Sequence, residues 1–417
     1  MLGVGIDWAE DANQVAIGRP GEGVVEELGV AHRPEAVAKL VERIGALEPD
    51  PAEVRVALET KHGHLVEALV EAGYAVVPVN PDLVARRRGP ARKKDDGEDA
   101  RILCHMALDR YHVLRPLIPH GEAAAELRVI ARDDERAARD ERRLLNRLRA
   151  DLLAAFPAAL DFAGDDLGTP SVLRLLERYP TAEAAGKATD ADLEGLFRQG
   201  RHGWPDRAVR RLREALGSSQ FVARPYLVRA KADSIRLAAT QLLALGAQRR
   251  AWERRMGRLL AELPARGTEG EQGQAVPGGE IYRSMPGLGA RLAARVAGEV
   301  GDYPEQFETP NSLQCYAGKA PVTRRSGKSE FVVACRLAHN HHLGNAVQQW
   351  AFCSLSRSGW AREFYDAQRA RGKGHHAALR ALGNRWLEVL WHCLKKGVRY
   401  DEAVHVENRR RALGIAA

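Results

Sequence analysis

Long apolar runs are missing from this 417-residue sequence. No stretch of 18 apolar residues occurs, so composition offers no membrane-spanning helix, and no secretory leader precedes the structured pattern that begins at Met1. Cysteine is scarce. Cys104, Cys315, Cys335, Cys353 and Cys393 are odd in number and lack C-x-x-C spacing. That fits reduced thiols in a cytoplasm and argues against a disulfide framework or a zinc site. Internal repeats are absent. Neither sign of charge dominates, since 63 Lys and Arg against 55 Asp and Glu leave +8, with a pI near 9.3. A small basic excess points to a polyanionic partner, although a solvated surface gives the same number. What is present is globular: 45% apolar and 28% charged residues exclude a wholly disordered chain. The length asks for two or three cores.

Position sharpens the charge. Residues 310–417 carry 18 Lys and Arg against 7 Asp and Glu, a local +11 that exceeds the total for the chain. The rest is near neutral except for a cluster of Arg86, Arg87, Arg88, Arg92, Lys93 and Lys94. Concentrated positive charge is the footprint of phosphate binding, for DNA and RNA alike.

Along the chain, LGVGID (2–7), NQVAIGR (13–19) and GVVEELGV (23–30) read as a three-strand meander. Residues 34–47 place Val37, Leu40, Val41 and Ile44 on one helical stripe behind Pro34. A strand at 53–58, a helix at 64–73, a strand at 74–80 and a helix at 97–110 complete an α/β layout around a mixed sheet. From 121 to 160, Leu127, Ile130, Leu144, Leu145, Leu148 and Leu152 recur at helical spacing among dense charges, predicting a long coiled-coil-like helix. Short helices follow at 161–220. A second long helix fits 228–265, with Ile235, Leu237, Leu242, Leu243 and Leu245 leading to Trp252, Leu259 and Leu260. The pair is expected to be antiparallel. The Gly-rich segment 266–280 reads as a linker. The expected organisation is therefore multidomain: an α/β domain at 1–115, a coiled-coil and helical insert at 116–265, a linker at 266–280, a mostly helical domain at 281–405 and a basic tail at 406–417.

Asp7 ends one strand, Glu59 follows another, and Asp96 and Asp99 open the helix after the basic loop. Phosphodiester chemistry with two Mg²⁺ ions needs hard oxygen ligands projected from rigid elements towards one point. Strand-end carboxylates and an i,i+3 helical pair can supply that. Asp95 and Glu98 form a rival i,i+3 pair. Asp96 and Asp99 continue through Leu103 and Met106 on the face expected to pack on the sheet, which favours them. Ordinary caps and surface acids are the plainer alternative.

In the C-terminal part, SMPGLGARLAARVAGEVGD (284–302) has a P-G-x-G turn before an Ala-rich helix. Gly287 and Gly289 would let backbone N–H groups approach a phosphate at a helix N-terminus. Further on, Ser326 precedes Gly327, with Arg324, Arg325 and Lys328 around it. Cations beside a serine stabilise both an alkoxide and the phosphate it attacks. By itself Ser326 also fits an ordinary loop serine. His339, His341 and His342 lack the spacing and acidic or Cys partners of a metal site. Trp350, Trp360, Phe364, Tyr365, Trp386 and Trp391 read mainly as core.

GIDWAE, ALETKHG and KKDDGEDAR resemble the three blocks of the DEDD insertion-sequence transposases, the family that includes the Piv DNA invertases. The third block of that family, K-x-D-x-x-D-A, is matched by Lys94, Asp96, Asp99 and Ala100. The resemblance implies a RuvC-like, RNase H-like N-terminal domain with Asp7, Glu59, Asp96 and Asp99 as the metal-binding tetrad. Family members also carry P-G-I-G…A-E-I-G-D, matched by Pro286, Gly287, Gly289, Glu299, Gly301 and Asp302. A following Y-A-G-x-x-P is matched by Tyr316, Ala317, Gly318 and Pro321. The first of these implies a helix-hairpin-helix element. Ser326 then falls on the family's nucleophilic serine. Downstream, HNHHLGNAVQQWA keeps Gly344 and Asn345 but places histidines where the family has basic residues.

What the resemblance implies is a recombinase that cuts and rejoins double-stranded donor and target DNA through a phosphoserine link, assisted by two Mg²⁺ ions. It also implies a structured non-coding bridge RNA as guide, a homodimer or homotetramer, and a cytoplasmic, nucleoid-associated protein without a membrane partner. The cluster at 86–94 and the Arg-rich helix at 128–149 are candidate backbone contacts. Two rivals remain: a RuvC-like junction resolvase or nuclease that uses water, and a structural nucleic-acid-binding protein with a decayed tetrad.

Overall fold

Leu2–Asp7, six buried residues in succession, form the central strand β1 of the N-terminal sheet. β2 (Ala12–Arg19) pairs antiparallel with β1, and β3 (Gly23–Ala31) pairs antiparallel with β2. α1 (Pro34–Leu47) crosses to β4 (Val54–Leu58), and α2 (His64–Glu71) leads to β5 (Ala75–Pro78). β4 lies parallel to β1 and β5 parallel to β4, giving the order β3-β2-β1-β4-β5. α3 (Pro81–Arg87) and α4 (Asp96–Leu108) follow. These belong to the first of two compact units in the computed structural model, Met1–Pro119 and His120–Ala417. The structure describes residues 1–8, 12–60, 63–88, 96–109, 116–118, 120–218, 223–266, 275–302, 304–326, 329–333 and 339–412, with backbone alone at 322–326, 329–333, 410 and 412.

Two-residue alternation assigns the faces of β1. Leu2, Val4 and Ile6 share a core with Leu40, Ile44, Val66 and Leu69 of α1 and α2. Gly3, Gly5 and Asp7 alternate with them, and α4 packs on that side. A side chain at Gly5 would bring its Cβ to 2.1 Å from Ala100 O and Cys104 N. The glycines therefore let the backbone of α4 lie directly on the strand. The Cys104 thiol donates to Gly3 O at 3.3 Å, which holds the helix in place. Helices on both faces of a mixed sheet agree with the α/β expectation for this part.

In the second unit, α5 (Glu122–Ala155) and α11 (Pro225–Ala261) are the two long helices. Their ion pairs step in opposite directions: Glu126–Arg255, Asp134–Arg249 and Asp151–Lys231. The pair is antiparallel, as expected. It is not a continuous apolar seam, because no residue of α5 between Ala137 and Leu148 is buried. Leu237, expected inward, is exposed.

At one end, Leu148 and Leu152 of α5 and Ile235 and Leu242 of α11 share a core with α6 (Pro157–Ala163), α7 (Pro170–Arg178), α8 (Ala182–Lys187), α9 (Asp190–Gln199) and α10 (Pro205–Ser218). At the other end, Leu127, Ile130, Met256 and Leu260 join the C-terminal core around Trp350 and Trp386. The segment read as a linker is bracketed by β6 (Ala265–Arg266) and β7 (Val276–Pro277), which pair antiparallel. Both long helices share apolar surface with the residues after 280. The remaining elements are α12 (Gly278–Ser284), α13 (Ala290–Val300), α14 (Pro310–Tyr316), β8 (Val322–Ser326), β9 (Ser329–Val333), α15 (His341–Ser354), α16 (Gly359–Ala370), α17 (His375–Lys396) and α18 (Glu402–Ala412). Among the described residues, no helix is long and apolar enough to cross a membrane.

Candidate functional site

β1 and β4 run parallel in the register Ile6 to Leu58, so the next residues, Asp7 and Glu59, leave adjacent strand ends on one edge of the sheet. The Gly5–Ala100 approach brings the first turn of α4 to the same edge and carries Asp99 with it. Asp7 is 6% exposed and Asp99 is 2% exposed, while Asp96 and Glu98 are half-buried. The Asp7 carboxyl is pushed up to about 6, first by burial and then by the carboxylates of Glu59, Asp99 and Asp96. Like charges crowded at one point oppose ionisation. Three of the four sequence-derived acids are thus sensed by the fourth. Burial also separates Asp99 from its rival Glu98, whereas Asp95 lies outside the described residues.

Several hard oxygen donors crowded on rigid elements fit a divalent cation such as Mg²⁺. Among the described residues, no three such side chains already form a coordinating set. Arg88 engages one of the acids. Its Nε and Nη2 donate to Asp99 Oδ1 and Oδ2 at 2.7 and 2.5 Å. The hydrogen bonds it donates to Asp99 hold the guanidinium above its ordinary pKa, with further contributions from the charges of Asp99, Glu59 and Asp7. Arg88 belongs to the basic run read as phosphate contacts, and in the structure its guanidinium lies on Asp99. Arg87 pairs with Asp109 at 3.1 Å, and Arg86 is exposed. Arg92, Lys93 and Lys94 lie outside the described residues. Nothing in the sequence spacing signalled the Arg88–Asp99 pair, which spans a loop and a helix turn.

In the second unit, the P-G-x-G turn joins α12 to α13. Gly287 has φ +84°, and a Cβ there would lie 2.6 Å from Ser354 N, so the turn rests directly on α15. Trp350 Nε1 donates to Pro286 O at 2.9 Å and fixes the same contact. Gly289 caps α13, and open space surrounds its Cβ position. The turn borders a cleft of about 1050 Å³ that also includes Arg283, Arg291, Arg357 and Arg362.

Ser326 is the last residue of β8 and pairs with Ser329, the first of β9, across a two-residue connection. Arg324 and Arg325 lie in β8, and Lys328 falls outside the described residues. Just before β8, Pro321 lines a cleft of about 800 Å³ with Lys319, Arg371, Lys373 and Arg380.

Glu299 and Asp302, matched above by resemblance alone, prove to be tethers. Glu299 accepts from Arg132 Nε and Nη2 at 2.6 and 2.9 Å and from Asn340 Nδ2 at 2.7 Å. Asn340 Nδ2 also approaches Tyr316 Oη at 2.7 Å. Burial raises and these donors lower the Glu299 pKa, and the donors prevail. Asp302 accepts from Gly121 N at 2.8 Å and meets His120 Nδ1 at 3.0 Å. His342 Nδ1 contacts Glu135 Oε2 at 2.7 Å, and Asn345 donates to Glu135 Oε1 at 3.0 Å. His339 packs where a Cβ at Gly318 or Gly344 would lie 2.5 or 3.1 Å from its ring. His339 and His342 therefore pack against the ends of α14 and α15 and against α5.

Two family models match the chain. One, described as a DEDD-type IS110 transposase, covers residues 4–157, and a second, described as transposase IS116/IS110/IS902 family, covers residues 279–366. The "Mini-circle putative transposase for IS117" of Streptomyces coelicolor is 35% identical over 406 residues, 95% of each chain. The insertion element IS110 43.6 kDa protein of the same organism is 33% identical over 324 residues, 77% of this chain and 76% of that one. The insertion element IS900 42 kDa protein of Mycobacterium paratuberculosis is 27% identical over 382 residues, 90% of each. The acidic strand-end site lies inside the first matched region and the serine hairpin inside the second, and the chain belongs to the IS110/IS116 family of DEDD insertion-element transposases.

Proposed function

We propose that the chain is an RNA-guided DNA recombinase that moves its insertion element through a phosphoserine intermediate. The observation that carries the reading is the gathering of Asp7, Glu59, Asp96 and Asp99 at one end of the sheet, where burial first and then the neighbouring carboxylates push Asp7 up to about 6. These four acids would hold two Mg²⁺ ions, which supply positive charge to the scissile phosphate and its leaving oxygen. The mixed sheet order with β1 at its centre supports a RuvC-like, RNase H-like fold for the first unit. The α12–α13 hairpin supports a helix-hairpin-helix element that holds DNA phosphate at Gly287 and Gly289.

Ser326 is the nucleophile in this reading, supported by its position in the family's Ser-Gly motif and by Arg324, Arg325 and Lys328 beside it. Its Oγ bonds to phosphorus as the bond from phosphorus to a deoxyribose oxygen breaks. The hydroxyl proton ends on that oxygen. A deoxyribose hydroxyl of the second duplex then attacks phosphorus, and Ser326 recovers its proton. One phosphodiester replaces another, so strand exchange needs no nucleotide hydrolysis. A structured bridge RNA would select donor and target DNA by base pairing, and the +11 charge of residues 310–417 with the cleft at Lys319, Arg371 and Arg380 suits polyanionic partners. The acids and the serine belong to different units of the chain, which suits assembly as a homodimer or homotetramer.

The test is a joining assay with the full chain, donor and target duplexes, Mg²⁺ and the transcript of the non-coding DNA flanking the gene. Recombinant junctions should require both RNA and Mg²⁺. Asp7→Asn and Glu59→Gln should each lower joining by at least roughly a hundredfold. Full joining by either variant would overturn the acidic assignment, and joining without RNA would overturn the guide.

A further inference from the structure

Asp99 is almost fully enclosed, yet its two oxygens are engaged by a cation supplied from the same chain. In a fork contact, Nε–H and Nη2–H point at the two oxygens from the side on which they converge. A chelating cation approaches a carboxylate from that same side. Arg88 is itself only 19% exposed, so the pair is largely withdrawn from water and its charges depend on each other. Its guanidinium also feels the charges of Glu59 and Asp7.

The backbone around Arg88 is built for this reach. α3 is anchored by Val84, which is fully buried against Leu103 and Met106 of α4. Arg88 N donates to Val84 O at 3.2 Å and closes the helix, so the side chain leaves from a fixed point. Neighbouring Arg87 turns instead to Asp109, a more exposed acid outside the cluster.

We propose that Arg88 is a built-in counter-ion that occupies the cation-facing side of Asp99 and is displaced when a divalent metal enters. The inference rests on reading the four acids as the metal site. Without metal, Arg88 neutralises Asp99 through its two hydrogen bonds. Metal entry releases the Arg88 side chain from Asp99. Arg88 is thus a positioning residue that sets how readily the site loads. A side chain that merely oriented Asp99 for the metal would strengthen metal binding; a competitor weakens it, and the sign separates the two.

Mn²⁺ binding to the full chain, followed by electron paramagnetic resonance of the free ion, tests this directly. Arg88→Gln should bind Mn²⁺ about tenfold or more tightly than wild type, and Arg88→Lys, which keeps charge but loses the fork, should fall between. Equal or weaker binding by Arg88→Gln overturns the proposal. Asp7→Asn serves as the reference: wild type and Asp7→Asn binding alike overturns the metal-site reading and this inference with it. Loss in Asp7→Asn without a gain in Arg88→Gln overturns the counter-ion alone. If Arg88→Gln does not fold, ¹⁵N-arginine spectra of wild type decide. The hydrogen-bonded Arg88 Nε–H resonance should disappear or move at saturating Mg²⁺, and its persistence unchanged overturns the proposal.

Discussion

Arg132 of α5 and Glu299 of α13 face each other through two hydrogen bonds, with the Glu299 side chain 4% and the Arg132 side chain 24% exposed. Asn340 completes the carboxylate from the residue that caps α15. One acid therefore ties the long helix to the helix after the P-G-x-G turn and to the segment beyond the serine hairpin. Removing one partner of such a pair strands the other. Glu299→Ala should lower the stability of the full chain by about 3 kcal/mol, read by chemical denaturation. Glu299→Gln should cost less because it keeps shape and one acceptor. A loss below about 0.5 kcal/mol for Glu299→Ala, the level of an ordinary surface change, would show that the tether carries no load.

Gly5 makes the acidic site possible by letting α4 touch β1. In Gly5→Ala, the new Cβ would meet Ala100 O and Cys104 N, backbone atoms that cannot rotate aside. The helix must shift, and Asp99 moves with it. The expected cost is about 3 kcal/mol, the upper part of the usual range for overpacking. Mn²⁺ affinity should fall together with thermal stability. Gly29→Ala, in a strand position with open space around it, is the control and should leave both nearly unchanged.

Asp7 gives a pH dependence of defined sign. Its ordinary pKa is 3.8, and in the folded, metal-free protein it is pushed up to about 6. Between those values the folded state holds the proton more tightly than the unfolded chain does. This contribution to stability is complete below pH 3.8 and is lost as pH rises through about 6. Asp7→Asn cannot ionise, so at pH 7.5 it should be more stable than metal-free wild type by on the order of 2 kcal/mol. The difference should close as pH falls towards 4. Metal entry must expel the same proton, so Mg²⁺ affinity of wild type should decline below about pH 6. Calorimetry in buffers of different ionisation enthalpy would show the released proton.

The first unit was largely legible because its signals are local. Val- and Ile-rich runs separated by Gly mark β1 to β5 within a residue or two of their ends, and Pro34 marks the start of α1. The acids Asp7, Glu59, Asp96 and Asp99 stood out because strand ends and a helix start are readable positions. The Arg88–Asp99 pair was not legible, because a run of arginines gives no sign of which one folds back onto a buried carboxylate. The long antiparallel pair was readable from Leu spacing. Its joining of two cores was not, because Leu127 and Met256 look alike whether they face a partner helix or the C-terminal Trp cluster. The exposure of Leu237 has the same origin: an apolar residue on a long helix leaves its face undetermined. Glu299 and Asp302 entered only through motif matching, since their partners Arg132 and Gly121 lie 167 and 181 residues away.

Under the proposed function, Ser326 carries the phosphoryl group. Full-length protein incubated with Mg²⁺, guide RNA and end-labelled donor DNA, then denatured, should retain label on the polypeptide. Peptide mass spectrometry should place the deoxynucleotide adduct on Ser326. Ser326→Ala should lose the adduct while still binding DNA, and Asp99→Asn should lower its yield. Cleavage that persists in Ser326→Ala with no covalent adduct in wild type would contradict the account and identify a water-using, resolvase-like nuclease instead.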